Sequence, residues 1–508
     1  MRVCILGGGT AGWMTAAALS KKLKNIINSI TLVESDTIST VGVGEATLPH
    51  IRLFNEGLGI DESAFMKQTE ATYKLGIEFC DWGRLGDSYV HPFGDFGQTI
   101  NGIAFYQHLL KLTKHGDYGV LNDYAFGIVA AKNNKFQLPK DGKSPLQQAF
   151  GYAYQFDAGL YAKFLSGFAQ NNGVRRIEGI VVDTLIDKSS GDVTAITLDD
   201  GQQISADLFI DCSGFRGVLI EQTLQSGYQD WSQWLPCNRA VAVPCERHGP
   251  LSPYTRATAR QAGWQWRIPL QHRTGNGHVY WDEFISEDEA TSVLLKNLDG
   301  PALSEPKQLY FKTGRRNHFW KNNVVAIGLA GGFLEPLEST SIHLIQEGIT
   351  NLLELFPHES PSPSANTLDK AEYNARMALQ FERVRDFLLL HYVATKRDDS
   401  EMWRYFSNMT LPDSLQEKID YWLHRGYVQR YEFGSFLPPS WIAVMLGQNL
   451  RPQHYDPRVD NYNFVELKQQ AQAMRTDIAN GVNQAKNHAD FLVAIGAASN
   501  SQLIRAKS

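Results

Sequence analysis

Arg2-Val3-Cys4-Ile5-Leu6 is a short apolar strand, and it empties directly into Gly7-Gly8-Gly9-Thr10-Ala11-Gly12. Gly7, Gly9 and Gly12 fit G-x-G-x-x-G, and Trp13 to Leu19 continues as a helix. The first glycine permits a tight turn, the second lets backbone approach a pyrophosphate, and the third packs helix against strand. Thr10 and Ala11 open the helix, whose N-terminal amides face the phosphates. A second strand, Ser29 to Val33, ends at Glu34, where a carboxylate can accept from both ribose hydroxyls. Strand, glycines, helix, strand and acid in that order predict an α/β, Rossmann-like dinucleotide site.

Two later segments decide which dinucleotide. Ala206 to Arg216 reads as a strand running into a small-residue turn, with Asp211 at its end. Val324-Val325-Ala326-Ile327 reads as a buried strand emptying into Gly328-Leu329-Ala330-Gly331-Gly332, with Leu334 just beyond. Such returns to one site suit the discontinuous, three-layer ββα domain of FAD proteins better than a continuous NAD unit. No second fingerprint opens a nicotinamide domain, so the electrons are expected from outside, on reduced flavin.

At 508 residues the chain exceeds one ordinary core, so coupled modules are expected. Residues 1–350 read as the FAD-binding domain with interleaved substrate-side segments, its own pieces being roughly 1–80, 150–230 and 310–350. Residues 351–508 read as a mostly helical region covering the substrate pocket, entered through a Ser/Pro-rich surface loop, Glu359 to Ser364. Asp199-Asp200-Gly201 marks a hairpin. A net charge of −6 argues against nucleic acid as the main partner. No apolar run approaches membrane-spanning length, and no secretory signal precedes the first strand. The five cysteines form no C-x-x-C pair and suggest no metal site, and a reducing cytoplasm is the simplest setting.

Three further features have ordinary readings when taken singly. Glu338, in Leu334-Glu335-Pro336-Leu337-Glu338-Ser339-Thr340-Ser341, stands at a predicted helix start with Ser339 and Thr340 as caps, where an acid complements the dipole. Lys74 falls in Ala71 to Phe79, which reads as one strand with Lys74 and Glu78 on its solvated face. Trp264, Trp266 and Ile268 alternate along Gly263-Trp264-Gln265-Trp266-Arg267-Ile268-Pro269 and read as sheet core.

Together they have another meaning. The Trp-x-Trp-x-Ile-Pro segment, Gly44-Glu45-Ala46-Thr47-Leu48-Pro49, Lys74, and Glu335 to Thr340 resemble the motifs of flavin-dependent halogenases of the tryptophan halogenase family. The resemblance runs in register from Met1 to about Pro457. It implies halogenation of an electron-rich arene with reduced FAD, oxygen and chloride or bromide. A separate NADH-dependent flavin reductase would supply the flavin. Ala46 joins the FAD contacts, the amides of Thr340 and Ser341 hold the halide, and hypohalous acid passes along a tunnel to Lys74. Glu338 polarises the halogen donor or takes the ring proton. Trp264, Trp266 and Ser339 line the path, with His91, Pro92 and Phe93, a loop segment, facing the pocket.

Two departures qualify the match. Ser341 stands where the family has Gly, which is expected to strain or reshape the halide turn. Trp441 and Ile442 stand where enzymes acting on free tryptophan carry a Tyr-Tyr pair, so an indole lacking the charged tail, or another arene, is the expected substrate. A flavin monooxygenase and a non-catalytic flavin-binding protein are the competing readings.

Overall fold

The computed structural model describes residues 1–37, 44–357, 363–431 and 433–499. The chain forms two compact units, each assembled from three separated segments. The first comprises 1–70, 156–238 and 310–382, and the second 71–155, 239–309 and 383–508.

The first unit is built on a six-stranded sheet. Val324–Ala326, Leu208–Asp211, Arg2–Leu6, Ser29–Glu34 and Arg175–Glu178 run parallel in that spatial order, with Trp320–Lys321 antiparallel at one edge. Leu6 pairs with Asp211, which pairs with Ala326. Three strands far apart in sequence therefore end at one level, and their turns share one crevice beyond the carboxyl ends. The helix Thr10–Lys22 buries every residue from Gly12 to Ser20 and packs against the helices Ala158–Asn171 and Ser341–Glu354. Val193, Ile196, Leu198 and Ile204, from a three-stranded side sheet, share a core with Cys4, Phe209 and Val324. Helix, sheet and side sheet make the expected three layers. The hairpin turns at Gly201, whose φ of 85° needs glycine.

The expected boundary at 350/351 is not where the chain divides. The helix Pro363–Val393 begins in the first unit, because its early turns are hydrogen-bonded there. Tyr373 donates to the Gly348 carbonyl at 3.2 Å, and Asn374 Oδ1 accepts from the Phe319 and Trp320 amides at 2.7 and 2.8 Å. Residues 359–362 of the expected Ser/Pro-rich loop lie outside the described residues, while Pro363 and Ser364 already open the helix.

The second unit centres on a seven-stranded sheet in which Gly263–Pro269 lies between Thr255–Arg260 and Thr274–Tyr280. Helices from the C-terminal part dominate the rest, including Asp413–Arg425, Pro438–Gly447 and Phe464–Gln484. No helix among the described residues is long and apolar enough to cross a membrane.

Candidate active site

In the first unit the crevice is shaped by backbone packed too closely for side chains. Gly7 has φ of 112°, and a Cβ there would stand 2.3 Å from the Cys212 carbonyl oxygen. A Cβ on Gly12 would stand 1.8 Å from the Gly7 oxygen. Gly328, at φ 74°, brings the third turn to the first, its Cβ position being 2.8 Å from Cβ of Ala11. The helix Thr10–Lys22 starts at Gly9 with no side-chain cap and no acid in its first turn. Its amides are left for an anion, which fits a pyrophosphate. Glu34 accepts from Arg176 Nε at 2.5 Å, which fixes its carboxylate at the end of the second strand. Asp211 also shapes the second turn. Its buried carboxylate accepts from the Ser213, Leu219 and Ile220 amides at 3.0, 2.8 and 2.8 Å, and so holds the second turn in shape. Ala46 and Leu334 are buried apolar groups of the same unit.

The segment around Glu338 is a buried 3₁₀ turn, Pro336–Glu338, followed by Ser339 with φ of 59° and the helix Ser341–Glu354. The cap expected at Thr340 does not form. Thr340 holds the N-cap position without a side-chain cap bond, because its ψ of −12° is already helical. Its Oγ1 is buried and has no hydrogen-bond partner among the described residues. The strain expected at Ser341 is also misplaced. Ser341 is the first helical residue, a conformation any residue adopts, and the left-handed position is Ser339. A helix start with the unsatisfied, buried Thr340 hydroxyl at its N-cap fits a halide. Histidine adds no charge nearby: burial, then the His50 ring 4.4 Å away, brings His343 down to about 3.

The second unit holds Lys74. The single strand expected over 71–79 is two strands, Thr72–Lys74 and Gly76–Cys80, broken at Leu75. Leu75 leaves the ladder to donate to the Pro253 carbonyl at 2.8 Å and accept from the Phe93 amide at 3.2 Å. Lys74 pairs in register with Ala153, whereas Glu78 lies in the other sheet, bound to Lys132 and Arg256. Lys74 is 0% exposed, not solvated, with Nζ 5.3 Å from the Phe93 ring centroid. His91 and Pro92 end a strand, Ser88–Pro92, and do not form a loop; all three of His91, Pro92 and Phe93 are buried. Trp264 and Trp266 lie on one face of the central strand with ring centroids 6.0 Å apart.

The tryptophan halogenase family model matches residues 2–463. The chain belongs to the tryptophan halogenase family. A tryptophan 6-halogenase of Streptomyces toxytricini is 36% identical, over 92% of this chain and 95% of that protein. A flavin-dependent halogenase from Brevundimonas sp. BAL3 is 43% identical with a TM-score of 0.92, covering 97% of this chain and 99% of that one. A flavin-dependent halogenase from Xanthomonas campestris is 45% identical with the same TM-score, covering 97% and 98%.

This tryptophan halogenase family member also uses residues that sequence reasoning passed over. Gly8 is a free position in the fingerprint, yet a Cβ there would meet Glu34 Oε2 at 1.4 Å. Gly277 lies across from Trp266, and a Cβ would stand 2.0 Å from its ring. The strand bearing Lys74 is anchored by His488, whose Nε2 accepts from the Tyr73 amide at 3.1 Å. His488 Nδ1 lies 3.0 Å from the Leu251 carbonyl oxygen and donates to it, which sets the tautomer, and burial pulls the imidazole down to about 4. The T-G-N-G run at 274–277 was a visible hint for Gly277; nothing local announced His488.

Gly12→Ala is expected to weaken FAD binding by about ten- to a hundredfold, since the new Cβ opens the first turn. Quenching of flavin fluorescence on titration reads the change, and wild-type affinity would count against the placement.

Proposed function

We propose that this chain is a flavin-dependent halogenase acting on an electron-rich arene of the indole class. Reduced FAD, with oxygen and halide, supplies hypohalous acid when bound in the crevice. Gly7, Gly9, Thr10, Ala11 and Gly12 would hold the pyrophosphate and Glu34 the ribose. Ala46, Gly328 and Leu334 would line the remainder. The Thr340 and Ser341 amides, with Thr340 Oγ1, would hold the halide at the start of this helix.

Lys74 receives the hypohalous acid. Its ammonium donates to the acid's oxygen while the arene carbon attacks the halogen. The carbon–halogen bond forms, the oxygen–halogen bond breaks, and the departing hydroxide takes a proton from the Lys74 ammonium to become water, which leaves Lys74 neutral until the ring proton held by Glu338 is returned through solvent. Glu338 accepts the proton lost from the cationic ring. The observation that carries this reading is the burial of Lys74. Lys74 is 0% exposed beside the Phe93 ring, a placement few lysines have.

The test is incubation with reduced FAD, oxygen, bromide and indole. A brominated mass is expected, and a hydroxylated product instead would favour oxygen insertion. Purified chain given NADH and FAD alone is expected to oxidise NADH no faster than buffer, because a separate reductase supplies the flavin. Rapid NADH consumption would remove that part of the proposal.

A further inference from the structure

Lys74 stands on an edge strand, and the strand's open side is held from far along the chain. Thr72–Lys74 pairs with Ala153–Asp157 on one side, in the register Thr72–Gln155, Tyr73–Tyr154 and Lys74–Ala153. No described strand pairs with it on the other. An edge strand leaves outward amides that must find partners elsewhere. The Tyr73 amide finds His488, 415 positions later, whose Nε2 accepts it at 3.1 Å.

His488 is 0% exposed and is itself fixed. Its Nδ1 donates to the Leu251 carbonyl at 3.0 Å, and its backbone amide donates to the Asn134 carbonyl at 2.9 Å. Asn134 Oδ1 in turn accepts from the Ser252 hydroxyl at 3.1 Å. The bond on the other side of Lys74 reaches the same loop, since the Leu75 amide donates to the Pro253 carbonyl at 2.8 Å. Both chain neighbours of Lys74 are therefore tied to Leu251–Pro253, Leu75 directly and Tyr73 through the imidazole.

The rest of the strand is held as tightly. Gln271 Nε2 donates to the Ala71 carbonyl at 2.7 Å, Gln155 Nε2 to the Tyr73 carbonyl at 3.3 Å, and the Thr72 hydroxyl to the Pro269 carbonyl at 2.7 Å. Successive strand side chains face opposite ways. The Tyr73 ring stacks on Phe136 at 3.9 Å and meets Phe491 edge-on at 5.6 Å. Phe491 belongs to the helix His488–Ala494, so one helix grips residue 73 by its amide and by its ring. Lys74 leaves on the opposite face, toward Phe93. What remains free to move is the lysine stem, not its base.

We propose that His488 is a positioning residue for Lys74: it fixes the base of the stem so that the ammonium meets the hypohalous acid. This rests on the halogenase reading and adds a residue to it from beyond Pro457, where the resemblance in register ends. A displacement of about 1 Å at a positioned group can cost on the order of a hundredfold in rate. Without the imidazole the strand relaxes, the ammonium misses its partner, and hypohalous acid escapes to solvent instead of halogenating the arene.

The test follows where the bromine goes. The full chain is given reduced FAD, oxygen, bromide, indole and a water-soluble 1,3-diketone, which escaped hypobromous acid brominates. His488→Phe fills the space but removes both the acceptor and the donor. It is expected to lower kcat for bromoindole by about ten- to a hundredfold with the KM for indole unchanged. Brominated diketone should rise by an equal amount, so that the two products together stay at the wild-type level. His488→Gln offers a carbonyl to Tyr73 and an N–H to Leu251, and should restore most of the bromoindole. Should His488→Phe not fold, His488→Met carries the same measurement. Wild-type partition of bromine in the folded variant overturns the positioning role. So does a parallel loss of both products, the mark of a residue that only supports folding, and so does a Gln variant no better than Phe. A wild-type chain that brominates neither indole nor the diketone sinks the halogenase reading and this role with it, whereas unchanged variants of a brominating chain sink this role alone.

Discussion

Lys74→Ala is expected to abolish bromination of indole while FAD affinity and the reaction of reduced flavin with oxygen stay at wild-type levels. Lys74 belongs to the second unit, whereas the glycine-rich turns proposed to hold FAD, at Gly7 to Gly12 and Gly328, belong to the first. Removing the side chain takes away the one ammonium at that strand position, and a buried four-carbon stem goes with it. The stem's loss costs roughly 1–3 kcal/mol of stability, which an unfolding curve reads separately from turnover. Lys74→Met keeps most of the stem and should be equally inactive, which rules out collapse of the strand as the cause. The assay needs a hypohalite scavenger, because leaked hypohalous acid brominates indole in solution. Wild-type rates from Lys74→Ala under those conditions would mean that the lysine is not the halogen acceptor.

The parts of this molecule legible in its sequence are those set by local pattern. Arg2 to Gly12 specifies strand, turn and helix through consecutive residues, and the register Leu6–Asp211–Ala326 joins three segments each recognisable by its own strand-and-turn signature. Lys74 shows where local pattern fails. Alternation from Ala71 to Phe79 is unbroken, so nothing in it marks Leu75 as the residue whose amide leaves for Pro253. That bond depends on a partner 178 positions away in the chain, and it decides that Lys74 and Glu78 enter different sheets. Ser339 and Ser341 fail for a related reason. Both are serines near a helix start, and which one takes the left-handed angle is fixed by the 3₁₀ turn before them. The 350/351 boundary followed the change to mostly helical patterning, whereas the division follows where Tyr373 and Asn374 find their partners.

Glu338→Gln is expected to slow halogenation by about two to four orders of magnitude, through kcat with little change in the affinity for indole. The substitution keeps volume and a hydrogen-bonding carbonyl, so the buried 3₁₀ turn Pro336–Glu338 and the left-handed Ser339 should persist. What it removes is the charge and the ability to take up the proton that the arene must lose. The competing role, an acid favouring the start of the helix Ser341–Glu354, predicts a stability loss of about 1 kcal/mol with near-normal turnover. The structure already weakens that alternative. Glu338 lies three residues before the first helical position, and the N-cap position itself is held by Thr340. Glu338→Asp separates charge from reach: it restores the carboxylate but withdraws it by one methylene, and should recover only part of the rate. Product analysis adds a readout that a structural role would not move. If proton removal is slowed enough to limit the rate, indole deuterated at the reacting carbon should show a kinetic isotope effect in Glu338→Gln that the wild-type enzyme lacks. A Glu338→Gln protein that turns over at the wild-type rate, with no isotope effect and a lowered melting temperature, would leave Glu338 as a structural acid and take the proton acceptor out of this scheme.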